Sequence, residues 1–258
     1  MVSTSRRTLW LVAALMVAAC GGTEEAAPQS SEAVATTVPA PSTNPPGTAA
    51  AVESTVPGPI ELDESMDADL EPGVYFVDHD ADPATSLRAQ FTISDSGWGS
   101  FVGTNKSGPT NESGYVAVKF LEASTVASAA CDGTVWVDVG DSAVGLANGL
   151  SEIEDFITKE ELAAVSAFGY PGFHLLLEIP DMGTEVWEDF TGCDDRYFDG
   201  YEGPTLSRFY QGPHQMVEFW VLDVEGTPLL IEATWFPESP AEDVAQLQAI
   251  LDSVVITP

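Results

Sequence analysis

Basic residues are scarce in this chain of 258 residues. Eight Lys and Arg stand against 41 Asp and Glu, which gives a formal net charge of −33. Such a surface repels the phosphates of nucleic acid and the headgroups of anionic lipids, so we expect no nucleic-acid partner. Because the acidic residues are spread along the chain, we interpret the charge as a solubility feature in salty surroundings, where mobile cations screen the repulsion. The alternative is recognition of a cationic partner or of divalent cations.

The N-terminal region lacks an apolar run of membrane-spanning length. Residues 9–19 form an apolar segment, but a spanning helix needs about 20 such residues. Arg6 and Arg7 precede the segment, and small alanines end it. A positive start, a short apolar centre and a small-residue end are typical of a secretory signal. We therefore predict a signal peptide over residues 1–19 rather than a transmembrane helix.

The segment Val17-Ala18-Ala19-Cys20 resembles the lipobox of bacterial lipoproteins, in which an aliphatic residue and two small residues precede a cysteine. The resemblance implies cleavage before Cys20, thioether lipidation of its sulfur and acylation of the new amine, with palmitate as a typical chain. Two or three such chains anchor a protein stably, and we expect attachment to the cell membrane at its extracytoplasmic face. The alternative is an ordinary secretory signal with a chance cysteine. Whether export follows the Sec or the twin-arginine route stays open.

Aromatic and basic side chains are also missing over a long stretch after the signal. No aromatic residue occurs between Trp10 and Tyr75, and no Lys or Arg occurs between Arg7 and Arg88. Residues 20–69 are rich in Ala, Ser, Thr and Pro, and such a segment cannot bury enough apolar surface to fold. We predict a disordered tether over residues 20–69, weakly ordered towards its end, and a single extracytoplasmic domain over residues 70–258.

Cysteine is scarce as well, with three in the whole chain. If Cys20 carries lipid, Cys131 and Cys193 remain, and an even remainder outside the cytoplasm indicates one disulfide bond. Two buried free thiols are the alternative. A zinc site is disfavoured because neither cysteine has a Cys or His nearby at ligand spacing.

Alternating apolar and polar residues predict a mainly antiparallel sheet. Strands are expected at residues 74–77, 88–93, 98–102, 115–121, 134–139 and 206–210, with an irregular segment at 181–203. The clearest pattern is a hairpin over residues 216–236 that turns at Glu225-Gly226-Thr227. Both faces of this hairpin carry apolar residues, so its strands should be central and covered. Residues 254–257 are expected to add an edge strand.

The first predicted helix covers residues 151–159. Ser151 and Glu154 have the spacing of a capping box, and apolar residues follow on one face. A hairpin is then expected over residues 162–179. The alternative is that the helix continues through Ala164, because the segment EELAAV has helical propensity.

The second predicted helix begins near residue 240. Ser239 is expected to be the N-cap, with Pro240 at the first helical position and Glu242 at the third. Val244, Leu247, Ile250 and Leu251 form a stripe at helical spacing. This stripe should cover one face of the sheet.

The predicted elements give an α+β fold, a mainly antiparallel sheet with two or so covering helices. The turns at Pro72-Gly73, Gly97-Trp98, Gly169–Gly172 and Val224-Glu225-Gly226, with the terminal Leu251-Asp252-Ser253-Val254, resemble those of uncharacterised actinobacterial lipoproteins. Some lipoproteins of this kind have a PsbP-like fold, in which helices flank an antiparallel sheet. The resemblance implies a fold and a location, and it carries over no catalytic residue.

Acidic residues beside Cys193 form the strongest candidate for a metal site. Asp194, Asp195 and Asp199, with Glu202, are a conceivable calcium loop that a disulfide would preorganise. The alternative, which we favour, is a solvated loop pinned by the disulfide. His79 lies in a second acidic run, but its spacing does not match an EF-hand.

Aromatic residues crowd the irregular segment and its exit. They are Trp187, Phe190, Tyr197, Phe198, Tyr201 and Tyr210. Such side chains either stack on a sugar or peptide or bury the disulfide, and the second reading is the commoner one. The sequence contains no G-x-S-x-G motif, phosphate loop, dinucleotide fingerprint or zinc-protease motif, so no cofactor is expected.

These observations favour a non-enzymatic binding or scaffolding module, held at the membrane by its lipid anchor, with an unknown ligand or protein partner. One alternative is a hydrolase of cell-envelope polymers that uses carboxylates in the 181–203 region. A second alternative is a calcium-stabilised module. The ligand, the physiological role and the oligomeric state are not encoded in any motif of the sequence.

Overall fold

The structure is a computed structural model. It describes residues 58–62, 68–78, 87–100, 103–106, 115–182, 190–194, 196–204 and 206–258, which lie within one compact unit, Ser54–Pro258. The predicted signal peptide, Cys20 and the predicted tether up to residue 57 lie outside the described residues. His79, Trp187 and Asp195 lie outside them as well.

The described residues form the following elements in chain order. They are β1 (Ile60–Glu61), β2 (Ala68–Leu70), β3 (Gly73–Asp78), β4 (Arg88–Ile93), β5 (Trp98–Ser100), β6 (Thr104–Lys106), β7 (Val116–Leu121), β8 (Thr125–Ala127), β9 (Trp136–Asp138), α1 (Ala143–Ser151), β10 (Ile157–Ala167), β11 (Tyr170–Glu178), β12 (Asp199–Glu202), β13 (Ser207–Phe209), β14 (Met216–Val224), β15 (Thr227–Trp235), α2 (Ala241–Asp252) and β16 (Val255–Thr257). The fold is therefore α+β, with a predominance of strands.

The strands form one large sheet and two small ones. The central sheet has eight strands in the order β10-β11-β14-β15-β7-β6-β5-β2. One four-stranded sheet, β13-β12-β8-β9, contains the segments next to the cysteines, and we call it the disulfide-side sheet. The other, β1-β3-β4-β16, we call the terminal sheet. Strand pairs are antiparallel except for β1 with β3, so the expectation of a mainly antiparallel architecture is confirmed.

The hairpin β14–β15 is the centre of the large sheet, as its sequence pattern predicted. Val217, Phe219 and Val221 are fully buried on one face, and Ile231 is fully buried on the other. A strand with both faces buried needs apolar residues at successive positions, which is why the pattern was recognisable. The Asp223 carboxylate accepts a 2.7 Å hydrogen bond from the Gly226 N–H and closes the turn.

Each face of the central sheet is covered by one helix and one small sheet. On the first face, α1 packs on β10, β11, β14 and β15, and the disulfide-side sheet completes this core. On the second face, α2 packs on β7 and β4, beside the terminal sheet. The two helices therefore cover different parts of the sheet, which decides which strands stay accessible.

The predicted helix over residues 151–159 is wrong. The helix ends at Ser151, and residues from Ile157 onward form β10. The N-cap is Ser142, whose hydroxyl oxygen accepts a 3.2 Å hydrogen bond from the Gly145 N–H. Antiparallel pairing of β10 with β11 overrides the helical propensity of its charged segment. The alternative that the helix continues through Ala164 is therefore wrong, and the predicted hairpin is confirmed.

Two glycines inside α1 concealed this helix from sequence inspection, because glycine weakens a helix interior. A Cβ atom on Gly145 would lie 2.2 Å from the Val139 carbonyl oxygen, and one on Gly149 would lie 2.5 Å from the Val139 side chain. The glycines therefore permit close packing of α1 on the end of β9. This requirement is tertiary and leaves no local signature.

The second helix has the predicted body but a different start. Pro240, not Ser239, is the N-cap, and no side chain caps the helix. The Ser239 hydroxyl instead accepts a 3.0 Å hydrogen bond from the Phe236 N–H and donates one of 3.1 Å to the Tyr115 carbonyl. It fastens the end of β15 to β7. The predicted last strand is confirmed as β16, which pairs with β4.

Two further boundaries differ from expectation. The 181–203 segment is not irregular throughout, because Asp199–Glu202 forms β12. Sheet structure also begins before residue 70, since Ile60–Glu61 pairs with β3 and Ala68–Leu70 pairs with β5. Short strands of two or three residues have too few alternations to be recognised in sequence.

Candidate functional site

Cys131 and Cys193 form a disulfide bond that spans 62 residues of sequence. Both cysteines are buried in the core under the first face of the central sheet. The Asp194 N–H donates a 3.3 Å hydrogen bond to the Cys131 carbonyl, and the Cys131 N–H donates one of 3.1 Å to Asp155. The bond is therefore embedded in a hydrogen-bonded loop pair.

The acidic residues near the disulfide hold this loop pair together. Asp194 accepts a 3.2 Å hydrogen bond from the Gly133 N–H, and Asp199 accepts one of 3.4 Å from the Thr134 hydroxyl. Glu202 accepts hydrogen bonds from the hydroxyls of Thr125 and Ser207. Within the part of the chain that the structure describes, no three Asp, Glu, His or Cys side chains are grouped so that they could hold a metal ion.

Most of the aromatic residues of this region are core residues. Phe190 and Phe198 pack with ring centroids 5.5 Å apart, and Phe156 makes edge contacts with Phe198 and Tyr210. Phe198 is fully buried. These rings fill the space between the disulfide-side sheet and the central sheet. Tyr197 and Phe209 differ, because they form an exposed pair with centroids 5.0 Å apart.

A buried charged cluster joins the disulfide-side sheet to the central sheet. Arg208 on β13 donates from Nε to Oε1 of Glu232 on β15 at 2.8 Å, and its Nη2 atom lies 2.7 Å from the same oxygen. The Tyr201 hydroxyl donates to Oε2 of Glu232 at 2.8 Å. The guanidinium also lies over the ring of Tyr210 at 4.5 Å. Lys119 occupies the register position opposite Glu232 on β7.

The protonation states of this cluster are fixed by burial and by the Glu232 charge. Burial and the nearby carboxylate raise the pKa values of Tyr201 and Tyr210 well above their ordinary value, and burial raises the pKa of Tyr115 to about 12. Burial disfavours the charged form of Arg208, but Glu232 together with Tyr210 and Tyr201 outweighs this and raises the pKa of Arg208. The tyrosines thus stay neutral and the arginine charged at neutral pH.

A second set of polar and aromatic residues lies on the outer part of the central sheet. On β11 and β14, the side opposite α1 carries His174, Leu176, Met216, Glu218 and Trp220, all of them half-buried. We call this set the open face. Its strands turn their other side to α1, whereas α2 packs on β7 and β4. The open face is therefore sheet surface with large side chains that retain solvent exposure.

His174 is the centre of the open face. Its Nε2 atom lies 2.8 Å from Oε1 of Glu218, and its Nδ1 atom lies 3.8 Å from Oε2 of Glu160 on β10. Its ring lies 5.3 Å from that of Trp220, which in turn contacts Phe168 at 5.7 Å. A half-exposed tryptophan beside two carboxylates and an imidazole combines a flat apolar surface with hydrogen-bonding groups. This combination is typical of ligand sites.

The two partly buried carboxylates Glu178 and Glu218 on this side of the sheet differ in their electrostatics. Hydrogen bonds from Lys159 and His214 lower the pKa of Glu178, which lies 2.7 Å from the lysine nitrogen. Burial instead raises the pKa of Glu218, and Glu160 adds to this while His174 opposes it. Glu178 is thus stabilised as an anion within the fold, whereas the charged form of Glu218 is disfavoured.

We predict that Glu218→Gln stabilises the protein at neutral pH. A raised pKa in the folded state gives stability that is fully present below the ordinary glutamate pKa of about 4.3 and is lost as the pH rises through the raised value. The amide oxygen of Gln can still accept from His174, so the substitution removes the disfavoured charge and retains the hydrogen bond. Denaturant unfolding from pH 4 to pH 8 measures the effect.

The matched control for this prediction is Glu161→Gln, which removes an exposed carboxylate from β10, the edge strand of the same sheet. The variant Glu218→Gln should gain stability relative to this control as the pH rises. If the two variants follow the same curve, the Glu218 charge is not disfavoured in the fold. A natural residue that reduces stability is a mark of a functional position.

Sequence inspection did not single out Glu218 or Trp220. The available signal was weak: Glu218 interrupts an otherwise apolar stretch of the strand, and Trp220 lies two positions further on the same face. Their proximity to His174 depends on the register of β11 with β14, in which His174 lies opposite Trp220.

Among the described residues, no helix is long and apolar enough to cross a membrane.

Comparison with known proteins yields one weak structural similarity. No family model matches the chain, and no curated protein matches it. A solved structure similar to the chain is that of LpqN, involved in cell envelope biogenesis of Mycobacterium tuberculosis. The alignment covers 72% of this chain and 92% of LpqN, with 12% sequence identity and a TM-score of 0.37. Values this low do not establish a shared fold.

Proposed function

We propose that this protein is a lipid-anchored, extracytoplasmic binding module of a bacterial cell envelope, and that the open face holds its ligand. The anchor rests on the resemblance of residues 17–20 to a lipobox. The disulfide between Cys131 and Cys193 is compatible with an oxidising compartment outside the cytoplasm.

One observation carries the binding role. Trp220, His174 and Glu218 lie together on a part of the sheet where a partly buried aromatic ring and a disfavoured charged group are retained. In a domain built for support alone, we would expect these positions to be covered or exchanged for small polar residues. A ligand that stacks on Trp220 and hydrogen-bonds to His174 and Glu218 would satisfy all three.

The described carboxylates of the 181–203 region do not favour the hydrolase over the binding role. Asp194, Asp199 and Glu202 each accept hydrogen bonds from groups of their own loop or sheet. Groups used in this way support the loop pair around the disulfide. We therefore propose binding as the function and leave hydrolysis and calcium stabilisation aside.

The anchoring part predicts that Cys20→Ala releases the protein from the membrane. Cells grown with labelled palmitate should label the native protein, which should fractionate with the membrane. The variant should be unlabelled, because it offers no sulfur for lipidation. Recovery of labelled, membrane-bound Cys20→Ala protein would contradict the proposal.

The binding part is tested in the same cells by a photoreactive phenylalanine analogue at position 220. It should give cross-linked species that are absent when the analogue replaces Val144, an exposed residue of α1 on the opposite side. Equal cross-linking from both positions would contradict a specific role for the open face. The two readouts are independent, so anchoring and binding can fail separately.

A further inference from the structure

Strand β10 is the edge of the central sheet next to the open face. It is eleven residues long and, within the described residues, pairs with β11 on one side alone. Its other side therefore presents a row of backbone N–H and C=O groups. Such an edge accepts a further strand unless features of the sequence prevent it.

The two halves of β10 differ in how they are protected. The half up to Ala163 contains two register irregularities and the charged residues Lys159, Glu160 and Glu161. Bulges and charges are the usual devices that keep a strand from joining an edge. From Ala163 to Ala167 the register is regular, with no charged residue and no proline. This half, which we call the regular edge, has small side chains that allow close approach.

The surroundings of the regular edge are acidic. Glu160 is 61% exposed and lies in the charged half of β10, before the regular edge, where its side chain approaches His174. Glu161 is exposed beside it, and Glu218 follows on the open face. The chain as a whole has a net charge of −33. An occupant that brings positive charge is therefore attracted, and an acidic one is repelled.

We propose that an extended polypeptide segment with basic side chains adds to β10 at Ala163–Ala167 as a further strand. Its backbone would pair with the regular edge, its basic side chains would approach Glu160 and Glu161, and its apolar side chains would lie beside the outer border of the open face. Backbone pairing supplies affinity and the flanking side chains supply selectivity, as in other strand-addition complexes. This inference deepens the proposed function and rests on it.

A second copy of this chain is a poorer occupant of the same edge. Pairing of two β10 strands would bring together two domains that both have a large negative charge. Their repulsion opposes association at low ionic strength. A basic segment gains from the same charge, and this attraction weakens as salt is added.

The probe for this proposal is a capped heptapeptide of alternating lysine and valine. Its counterpart with glutamate in place of lysine tests charge, and a heptapeptide of lysine alone tests attraction without strand-forming residues. Calorimetric titration of the purified native domain should show binding of the lysine–valine peptide that weakens with salt. Glu160→Gln combined with Glu161→Gln should weaken it by about fivefold. Amide exchange should slow within Ala163–Ala167 when the peptide binds.

Two proline variants test the edge itself. The N–H groups of neighbouring strand residues point to opposite edges of the strand. One of the two variants Ala164→Pro and Val165→Pro therefore removes an inward N–H donor, which points to β11, and the other removes an outward donor, which points to the free edge. The variant that loses the inward donor should melt at a lower temperature. The other should stay close to the native melting temperature and lose binding of the lysine–valine peptide. If the stable variant binds as the native protein does, strand addition is wrong.

The remaining outcomes separate this inference from the proposed function. Trp220 lies on β14, three strand spacings from the added segment, so Trp220→Ala should leave peptide binding close to native. If Trp220→Ala weakens binding while the peptide leaves exchange in Ala163–Ala167 unchanged, the open face binds the peptide and strand addition is wrong. Equal affinity for all three peptides, or no binding at any salt concentration, would overturn the basic-segment proposal. Cross-linking at position 220 tests the open face independently of this result. Sedimentation tests whether the protein associates with itself. If it does, and Val165→Pro or Ala164→Pro abolishes the association, the occupant of the edge is a second copy and the basic-segment proposal is wrong.

Discussion

Replacing Glu232 with Gln is expected to lower the free energy of unfolding by about 3–5 kcal/mol. Glu232 is fully buried, and one of its oxygens is the acceptor for Arg208 while the other accepts from Tyr201. The amide of Gln carries no charge, so the guanidinium would be left buried without a counterion. If the amide oxygen accepts from Arg208, the amide nitrogen faces Tyr201 and cannot accept a hydrogen bond from its hydroxyl. An uncompensated buried charge is among the most destabilising changes a fold can suffer.

Urea unfolding of the variant checks this prediction. Lys159→Met is the matched control, because it breaks an ion pair with Glu178 in which the lysine is 43% exposed. Exposed pairs contribute at most about 1 kcal/mol, so this control should change little. A loss for Glu232→Gln no larger than that of the control would show that the buried pair does not hold the two sheets together.

The combination of Glu232→Gln with Arg208→Met should show strong coupling. Removing both charges leaves no unpaired guanidinium, so the double variant should lose less stability than the two single variants added together. For groups in direct contact, the coupling is of the order of 1–3 kcal/mol. Additive effects would mean that the two side chains act independently, against the 2.8 Å hydrogen bond between them.

Replacing both Cys131 and Cys193 with Ala is expected to lower the free energy of unfolding by about 4 kcal/mol. The bond closes a loop with a sequence separation of 62, and the chain-entropy argument assigns this value to a loop of that length. The loss should be concentrated in the disulfide-side sheet, whose strands are no longer than four residues. Short strands have few ladder bonds and depend on the covalent link.

The measurement is denaturant unfolding with and without a reducing agent, together with amide exchange. Reduced native protein should match the double variant, and reductant should leave the double variant unchanged. Exchange should accelerate in β8, β9 and β12 but not in α2, which packs on the other face of the central sheet. If reductant does not change the unfolding midpoint of the native protein, the disulfide bond does not have this structural role.

The hairpin β14–β15 and the second helix were predictable because their signals are local. In the hairpin, apolar residues occupy successive positions on both sides of a glycine turn. In the helix, Leu247, Ile250 and Leu251 recur at helical spacing and are all buried. Patterns of this length specify an element whatever it packs against.

Residues 143–167 were not predictable in the same way. Gly145 and Gly149 weaken the helix that forms, and they are needed because Val139, the residue after β9, lies too close for a Cβ atom. The segment after it has a helical composition but pairs with β11. In both cases the deciding contact comes from a residue elsewhere in the chain, so local propensity gave the wrong answer.

The sequence by itself determined the class of the fold, the acidic character of the surface and the expectation that Cys131 and Cys193 pair. These follow from periodicity, charge and cysteine number, which are properties of the chain before it folds. The tertiary structure alone decided that Glu232 meets Arg208, that β10 is an edge strand and that Trp220 retains exposure beside His174. Those features depend on strand order and on which strands α2 covers, and burial is a property of neighbours that the chain acquires when it folds.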